Sequence, residues 1–282
     1  MITCNLMGGL GNQLFQIFST ISFSIKSRNQ FKFLDVKTLS GSASVTVRNT
    51  YWETFLSRLK SFLTTEFSEI EVIRENGFTH NNIPLVNFVN KNICLQGYFQ
   101  SYKYFEKEFK TICSLIGLEK LKSNLIKKIG FGDKFLEETI SMHFRLGDYK
   151  KLPTFHPLLT YVYYNKALTY IKNTKPIEDY IVIYFCEDED IDDVIQTIEK
   201  LQNDFPGFIF NRGYNTLDDW EQMLLMSCCD HNIIANSSFS WWGAYFNSNT
   251  DKIVCYPSVW FGSALSHDTK DLYPSDWIKI EA

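Results

Sequence analysis

From residue 140 to residue 256 the chain alternates short apolar runs with longer stretches whose apolar residues recur at helical spacing, and no other feature restricts the fold as much. Ile140 to Phe144, Tyr180 to Phe185, Phe208 to Phe210, Asn232 to Ala235 and Lys252 to Tyr256 read as strands. Tyr163 to Ile171, Ile191 to Leu201, Leu217 to Met226 and Phe239 to Phe246 read as the helices between them. Strands joined through helices run parallel, and a parallel sheet is buried by helices on both of its faces. The chain opens in the same way. Residues 2 to 6 form an apolar run, Gly8-Gly9-Leu10-Gly11-Asn12 a turn, and Leu14 to Ile25 a helix.

Further strands are predicted at Phe31 to Leu34 and Ile93 to Phe99, and helical material over Tyr102 to Leu125, broken at Gly117. Ser40 to Asn49 is polar, and the region up to about residue 90 has no clear period. Gly130-Phe131-Gly132-Asp133 interrupts the pattern. The expected division is therefore 1–132 and 133–282, two Rossmann-like domains of α/β class facing a cleft, a size that suits 282 residues. With 28 Lys and Arg against 32 Asp and Glu, the formal net charge is −4, which gives no bulk attraction for nucleic acid. Any anionic ligand must be met by a local positive group. The seven cysteines include no C-x-x-C pair, and they read as reduced thiols of a cytoplasmic protein. No signal-peptide pattern opens the chain and no apolar run reaches membrane-spanning length. Peripheral contact with a membrane that carries the substrate is compatible with this reading.

Three segments carry the candidate chemistry. In the first turn, Gly9 and Gly11 allow close backbone approach at a helix start, and the Asn12 and Gln13 amides suit a polar ligand. The competing explanation is a tight turn with a capping Asn. His143 and Arg145 end the strand that opens the second half, where ligands of open α/β sheets bind, and alternation puts both on one side. A guanidinium there forks onto a phosphate and offsets the charge of a departing diphosphate. The competing explanation is a structural Arg145–Asp148 salt bridge with His143 in the core. In the third segment, Asn236, Ser237, Ser238 and Phe239 are candidate donor-binding residues: the Asn and Ser side chains either cap a helix or lend donors to a phosphate, while Phe239, Trp242 and Phe246 also have the spacing of core residues.

Glu187-Asp188-Glu189-Asp190 contains an Asp-x-Asp that suits a divalent metal. The preferred reading is a solvated helix start, with Glu187 or Asp188 accepting from a nucleobase or ribose. Zinc clusters, a G-x-S-x-G elbow and a P-loop are all missing from the sequence.

Taken in order, these segments resemble the α-1,2-fucosyltransferases of glycosyltransferase family 11. The matching stretches are Gly8 to Gln16, Gly97 to Ser101, His143 to Tyr149, Asn236 to Ala244, and Pro257 to Trp260. The resemblance implies a GT-B fold, a GDP-β-L-fucose donor and a glycan acceptor, no obligatory metal or other cofactor, and inversion at the anomeric carbon. It also implies that Arg145 contacts the donor diphosphate and that Asn12 lies near the reacting centre, with Asp148 and His143 as candidates for the base. The implied acceptor position is O2 of a terminal galactose. Two departures fall on the donor side: Leu146 stands where the family usually has a second arginine, and Cys186-Glu187-Asp188 where it has Ser-Asp-Asp. Another deoxyhexose nucleotide as donor, or a module that binds glycan or nucleotide without transferring, are the alternatives.

Overall fold

A computed structural model describes residues 1–39, 47–83, 91–130 and 138–282. The boundary expected at 132/133 and most of the polar stretch after Ser40 lie outside the described residues. The chain forms two compact units. Unit 1 comprises Met1–Leu121 and His267–Pro274; unit 2 comprises Lys122–Ser266 and Ser275–Ala282.

Unit 1 is built on a parallel three-stranded sheet of β1 (Ile2–Cys4), β7 (Asn92–Gln96) and β6 (Ile70–Arg74), in the order β1-β7-β6. Two small two-stranded sheets accompany it. One pairs β2 (Phe33–Leu34) with β5 (Leu63–Thr64), the other β3 (Thr38–Leu39) with β4 (Arg48–Asn49). Helix α1 (Leu10–Lys26) starts four residues before the predicted Leu14, because the first turn is filled by glycine and amides that hide its apolar period. It is buried along most of its length, with Leu14, Phe15, Ile17, Phe18 and Ile21 fully inside. Helix α2 (Phe109–Ile116) ends at Gly117, whose φ of +72° is the left-handed turn that stops a helix. The chain then enters α3 (Leu118–Lys128).

Unit 2 carries the predicted alternation almost strand for strand. The elements are β8 (Thr139–His143), α4 (Tyr161–Thr174), β9 (Ile181–Phe185), α5 (Ile191–Asp204), β10 (Ile209–Arg212) and α6 (Asp219–Met226). They continue with β11 (His231–Ile233), α7 (Ser238–Tyr245), β12 (Val254–Pro257) and β13 (Ile278–Ile280). All six strands are parallel, in the order β10-β9-β8-β11-β12-β13. Numbered from β8, this is the 3-2-1-4-5-6 order of a doubly wound sheet, whose direction of winding reverses between β8 and β11. One face is closed by Tyr164, Leu168, Val194 and Ile198 packed on Ile140, Met142 and Val182. His143 belongs to the opposite face by alternation.

The fold class is thus the expected α/β with parallel sheets in both units. Trp242 and Phe246 are core residues as their spacing predicts, whereas Phe239 is only half-buried. All seven cysteines are free thiols, and Cys4, Cys229 and Cys255 are buried. Among the described residues, no helix is long and apolar enough to cross a membrane.

Candidate functional site

In unit 2 the reversal of winding leaves a crevice outside the carboxyl ends of β8 and β11. The structure brings the sequence-predicted residues of this half to these strand ends. His143 ends β8, with Arg145 two residues on; Asn236 and Ser237 follow β11 and lead into α7; Glu187 and Asp188 follow the neighbouring β9.

Arg145 is the centre of the charge arrangement. Its Nη2 donates to Asp148 at 2.5 Å and its Nη1 to Glu187, and the guanidinium lies 5.1 Å from the centre of the Tyr149 ring. Burial disfavours its charge, but Glu187 and Asp148 outweigh that cost and raise its pKa. Tyr149 joins two of the predicted segments. Its ring stacks on His156 at 4.3 Å, and its hydroxyl donates to the Asn236 carbonyl at 3.1 Å. A cation–π contact and a hydrogen bond therefore fix Arg145 relative to the Asn236 turn.

Asn236 is 1% exposed. Its Nδ2 donates to the carbonyls of Pro157 at 2.9 Å and Trp260 at 3.4 Å, while Oδ1 is buried with no protein donor. Nδ1 of the buried His143 is likewise without a partner. Buried polar atoms of this kind are rare and expensive, and a ligand is one way to satisfy them. Burial first, and the Arg145 charge second, push the His143 pKa down to about 3. This imidazole is neutral at physiological pH and a poor general base. Its ring lies 5.5 Å from that of the half-buried Phe239. Ser237 caps α7 by accepting from the Phe239 N–H at 3.3 Å, as the capping explanation requires. Ser238 is half-buried at the first position of that helix.

The acidic run divides between two directions. Asp188 pairs with Arg212 at the end of β10, a residue that sequence reasoning did not single out. Asp190 is buried and accepts from the Gly147 N–H at 2.6 Å and from Lys150 at 2.7 Å, and Lys150 also reaches Asp193 at 2.6 Å. These bonds tie the short 3₁₀ turn Gly147–Lys151 to the segment after β9. Glu187 closes in from the same side: a Cβ on Gly147, whose φ is +33°, would stand 2.7 Å from the Glu187 carboxylate. Among the described residues, no group of His, Cys, Asp and Glu side chains is arranged to hold a metal.

In unit 1, Gly9 is the N-cap of α1, and a Cβ built on it would meet nothing within 4 Å, so the turn is open there. Gly8, with φ at +78°, lies so close to Asn12 that a Cβ would meet its Nδ2 at 2.5 Å. Asn12 is half-buried and accepts from Gln100 Nε2 at 2.8 Å. Gly11 is buried. Gln13 is buried too, and its Nε2 is spent on the carbonyls of Gly8 at 3.0 Å and Asn49 at 2.9 Å, so it braces the turn. Gln100 is held in turn by a second device. Glu75 Oε2 accepts from the N–H groups of Tyr98 at 2.7 Å and Phe99 at 2.9 Å, and Phe99 has φ at +51°, a conformation non-glycine residues seldom adopt.

Burial raises the Glu75 pKa more than these two bonds lower it. A raised carboxyl contributes stability that is fully present below its ordinary value near 4.5 and is lost as pH rises through the folded-state value. Glu75→Gln keeps a carbonyl acceptor and cannot ionise. The variant is expected to gain on the wild type as pH rises from 4 to 7.5 in denaturant unfolding; a pH-independent difference would contradict the assignment.

Comparison with known proteins bears on the whole chain. The model of the family described as Glycosyl transferase family 11 matches residues 1–281. The O-antigen biosynthesis glycosyltransferase WbnK of Escherichia coli is 30% identical over 99% of this chain and 100% of its own length. An alpha-1,2-colitosyltransferase of Escherichia coli is 25% identical over 100% of this chain and 99% of its own. Among solved structures, a mutant of Arabidopsis thaliana FUT1 in complex with GDP aligns with a TM-score of 0.48 and 10% identity, over 90% of this chain and 69% of that one.

Proposed function

Because the chain belongs to glycosyltransferase family 11, we propose that it transfers L-fucose from GDP-β-L-fucose, with inversion, to a hydroxyl of a glycan acceptor, O2 of a terminal galactose in the simplest case. The observation that carries this reading is Arg145 at the reversal point of the unit 2 sheet, beside the unpartnered Asn236 Oδ1 and His143 Nδ1. A guanidinium fixed there is suited to the diphosphate, whose charge grows as the glycosidic bond to fucose breaks. Asn236 Oδ1 accepts a donor hydroxyl or base N–H, and the start of α7 adds N–H groups for a phosphate oxygen.

Inversion requires in-line attack by the acceptor hydroxyl. The Gly8 to Gln13 turn of unit 1, with Asn12 half-buried on its bond to Gln100, serves the acceptor hydroxyl in this reading. With an oxocarbenium-like transition state the hydroxyl proton leaves late and needs no strong base. Asp148, half-exposed next to Arg145, suits that role better than the neutral His143. In this reading the reaction needs no metal, as the family resemblance implies; Asp188 pairs with Arg212, and Asp190 with Lys150 and the Gly147 N–H.

A second donor is favoured by one observation: a relative that aligns over the whole chain is named an alpha-1,2-colitosyltransferase. Another nucleotide-linked deoxyhexose is therefore the alternative donor. Mass spectrometry of products from GDP-fucose and other nucleotide deoxyhexoses, with a β-galactoside acceptor and with or without EDTA, tests the proposal. Fucosylated product unaffected by EDTA is expected. Binding of nucleotide with neither transfer nor hydrolysis would mark a non-catalytic module, and loss with EDTA reversed by manganese would restore the metal reading.

A further inference from the structure

The charges at the carboxyl ends of β8, β9 and β10 do not favour an anion as they stand. In this network Arg145, Arg212 and Lys150 are three cations facing five carboxylates, those of Asp148, Glu187, Asp188, Asp190 and Asp193. A nucleoside diphosphate approaching them meets a formal excess of two negative charges, and its phosphates compete with carboxylates already paired to the arginines. The carboxylates differ in what holds them. Asp190 is buried and bonded to the backbone of Gly147 as well as to Lys150, so it belongs to the framework. Asp148 lies on the short turn that follows Arg145, three residues away along the chain. Glu187 comes from a different strand end, is half-exposed at 51%, and reaches Arg145 Nη1 through the space left by Gly147.

We infer that Glu187 is an internal occupant of the anion position on Arg145, which the diphosphate of the donor displaces. The inference rests on the nucleotide-sugar reading and adds a specificity-determining role to it. Glu187 presents Arg145 Nη1 with a carboxylate where the ligand presents a phosphate oxygen, and both are oxygen acceptors for a planar guanidinium. A small anion that displaces Glu187 leaves the half-exposed carboxylate to water alone. A donor nucleotide compensates, because the released carboxylate is free to accept from an N–H or hydroxyl of the nucleoside. Glu187 thus raises the threshold for bare phosphates and favours ligands that carry a hydrogen-bond donor next to their diphosphate. A ligand that binds only the opened form has its apparent affinity reduced by the fraction of protein that is open.

The test is calorimetric titration of GDP, UDP, dTDP and inorganic pyrophosphate into the wild type and Glu187→Gln, at one ionic strength, with and without magnesium. The substitution keeps the shape and removes the charge of a half-exposed side chain, and thermal unfolding checks that the variant is folded. Pyrophosphate is expected to bind the variant roughly tenfold more tightly than the wild type, with a smaller gain for GDP. Unchanged or weaker pyrophosphate binding by the folded variant overturns the inference. So does a magnesium requirement for GDP binding that the variant loses, which would make Glu187 a metal ligand. The underlying reading fails separately: if the wild type binds none of GDP, UDP and dTDP while the variant still gains for pyrophosphate, the nucleotide donor is wrong and the displaced carboxylate stands.

Discussion

Arg145→Ala is expected to lower sugar transfer by about 10³-fold while leaving the protein folded. That factor corresponds to roughly 4 kcal/mol of transition-state stabilisation, the scale of losing one preorganised charged donor from developing negative charge. The other cations of the network are paired elsewhere, Lys150 with Asp190 and Asp193. Arg212 is tied to Asp188 at the next strand end, and Leu146 occupies the position beside Arg145 with an apolar side chain. Structural damage should be small, because the carboxylates that Arg145 leaves behind, Asp148 and Glu187, are each about half exposed and become solvated. Melting temperature within a few degrees of wild type, together with lost transfer, is the expected pair of results. Transfer within tenfold of wild type would remove Arg145 from the reaction.

The second large effect is on stability against acid. His143 is buried, its Nδ1 has no partner, and its pKa is pushed down to about 3. A histidine lowered in the folded state contributes stability that is fully present above its ordinary value near 6.5 and is lost as pH falls, by about 1.4 kcal/mol per pH unit, until the folded value is reached. Between pH 6.5 and 5 the wild type should therefore lose about 2 kcal/mol more than His143→Gln. Denaturant unfolding of both proteins at the two pH values measures this difference and cancels the contributions of the other histidines. Equal losses would show that His143 titrates normally. The pH profile of transfer should also lack a break from His143, since a group neutral throughout that range is not the titrating base.

Much of unit 2 was legible because β8, β9, β11 and β12 are largely buried on both faces and the chain between the strands carries helices of clear period. The sheet order was not written in any local pattern, yet it is what gives Arg145 and Asn236 adjacent positions. Besides the two-residue strands β3, β4 and β5, two strands of the larger sheets escaped sequence reasoning. Ile70–Arg74 is a mostly exposed edge strand whose alternation lasts only from Ile70 to Val72, and Ile278–Ile280 is three residues long with no helix leading from its partner β12. The polar anchors were harder still. Gln13, a candidate ligand residue beside Asn12, also braces the turn: its Nε2 donates to the carbonyls of Gly8 and Asn49, while its buried Oε1 has no protein donor. Glu75 lies in the region without period, and only the fold reveals that it holds the backbone of Tyr98 and Phe99. Arg212 pairs with a residue 24 positions earlier, a contact that no spacing rule contains.

The central claim is that a nucleotide diphosphate is held by Arg145 at the reversal point of the unit 2 sheet. Calorimetric titration of GDP and of guanosine into wild type and Arg145→Ala tests it most directly. The account predicts that GDP binds Arg145→Ala about 100-fold more weakly than wild type, while guanosine, which has no phosphate, binds both proteins alike. GDP affinity that survives the substitution would contradict it.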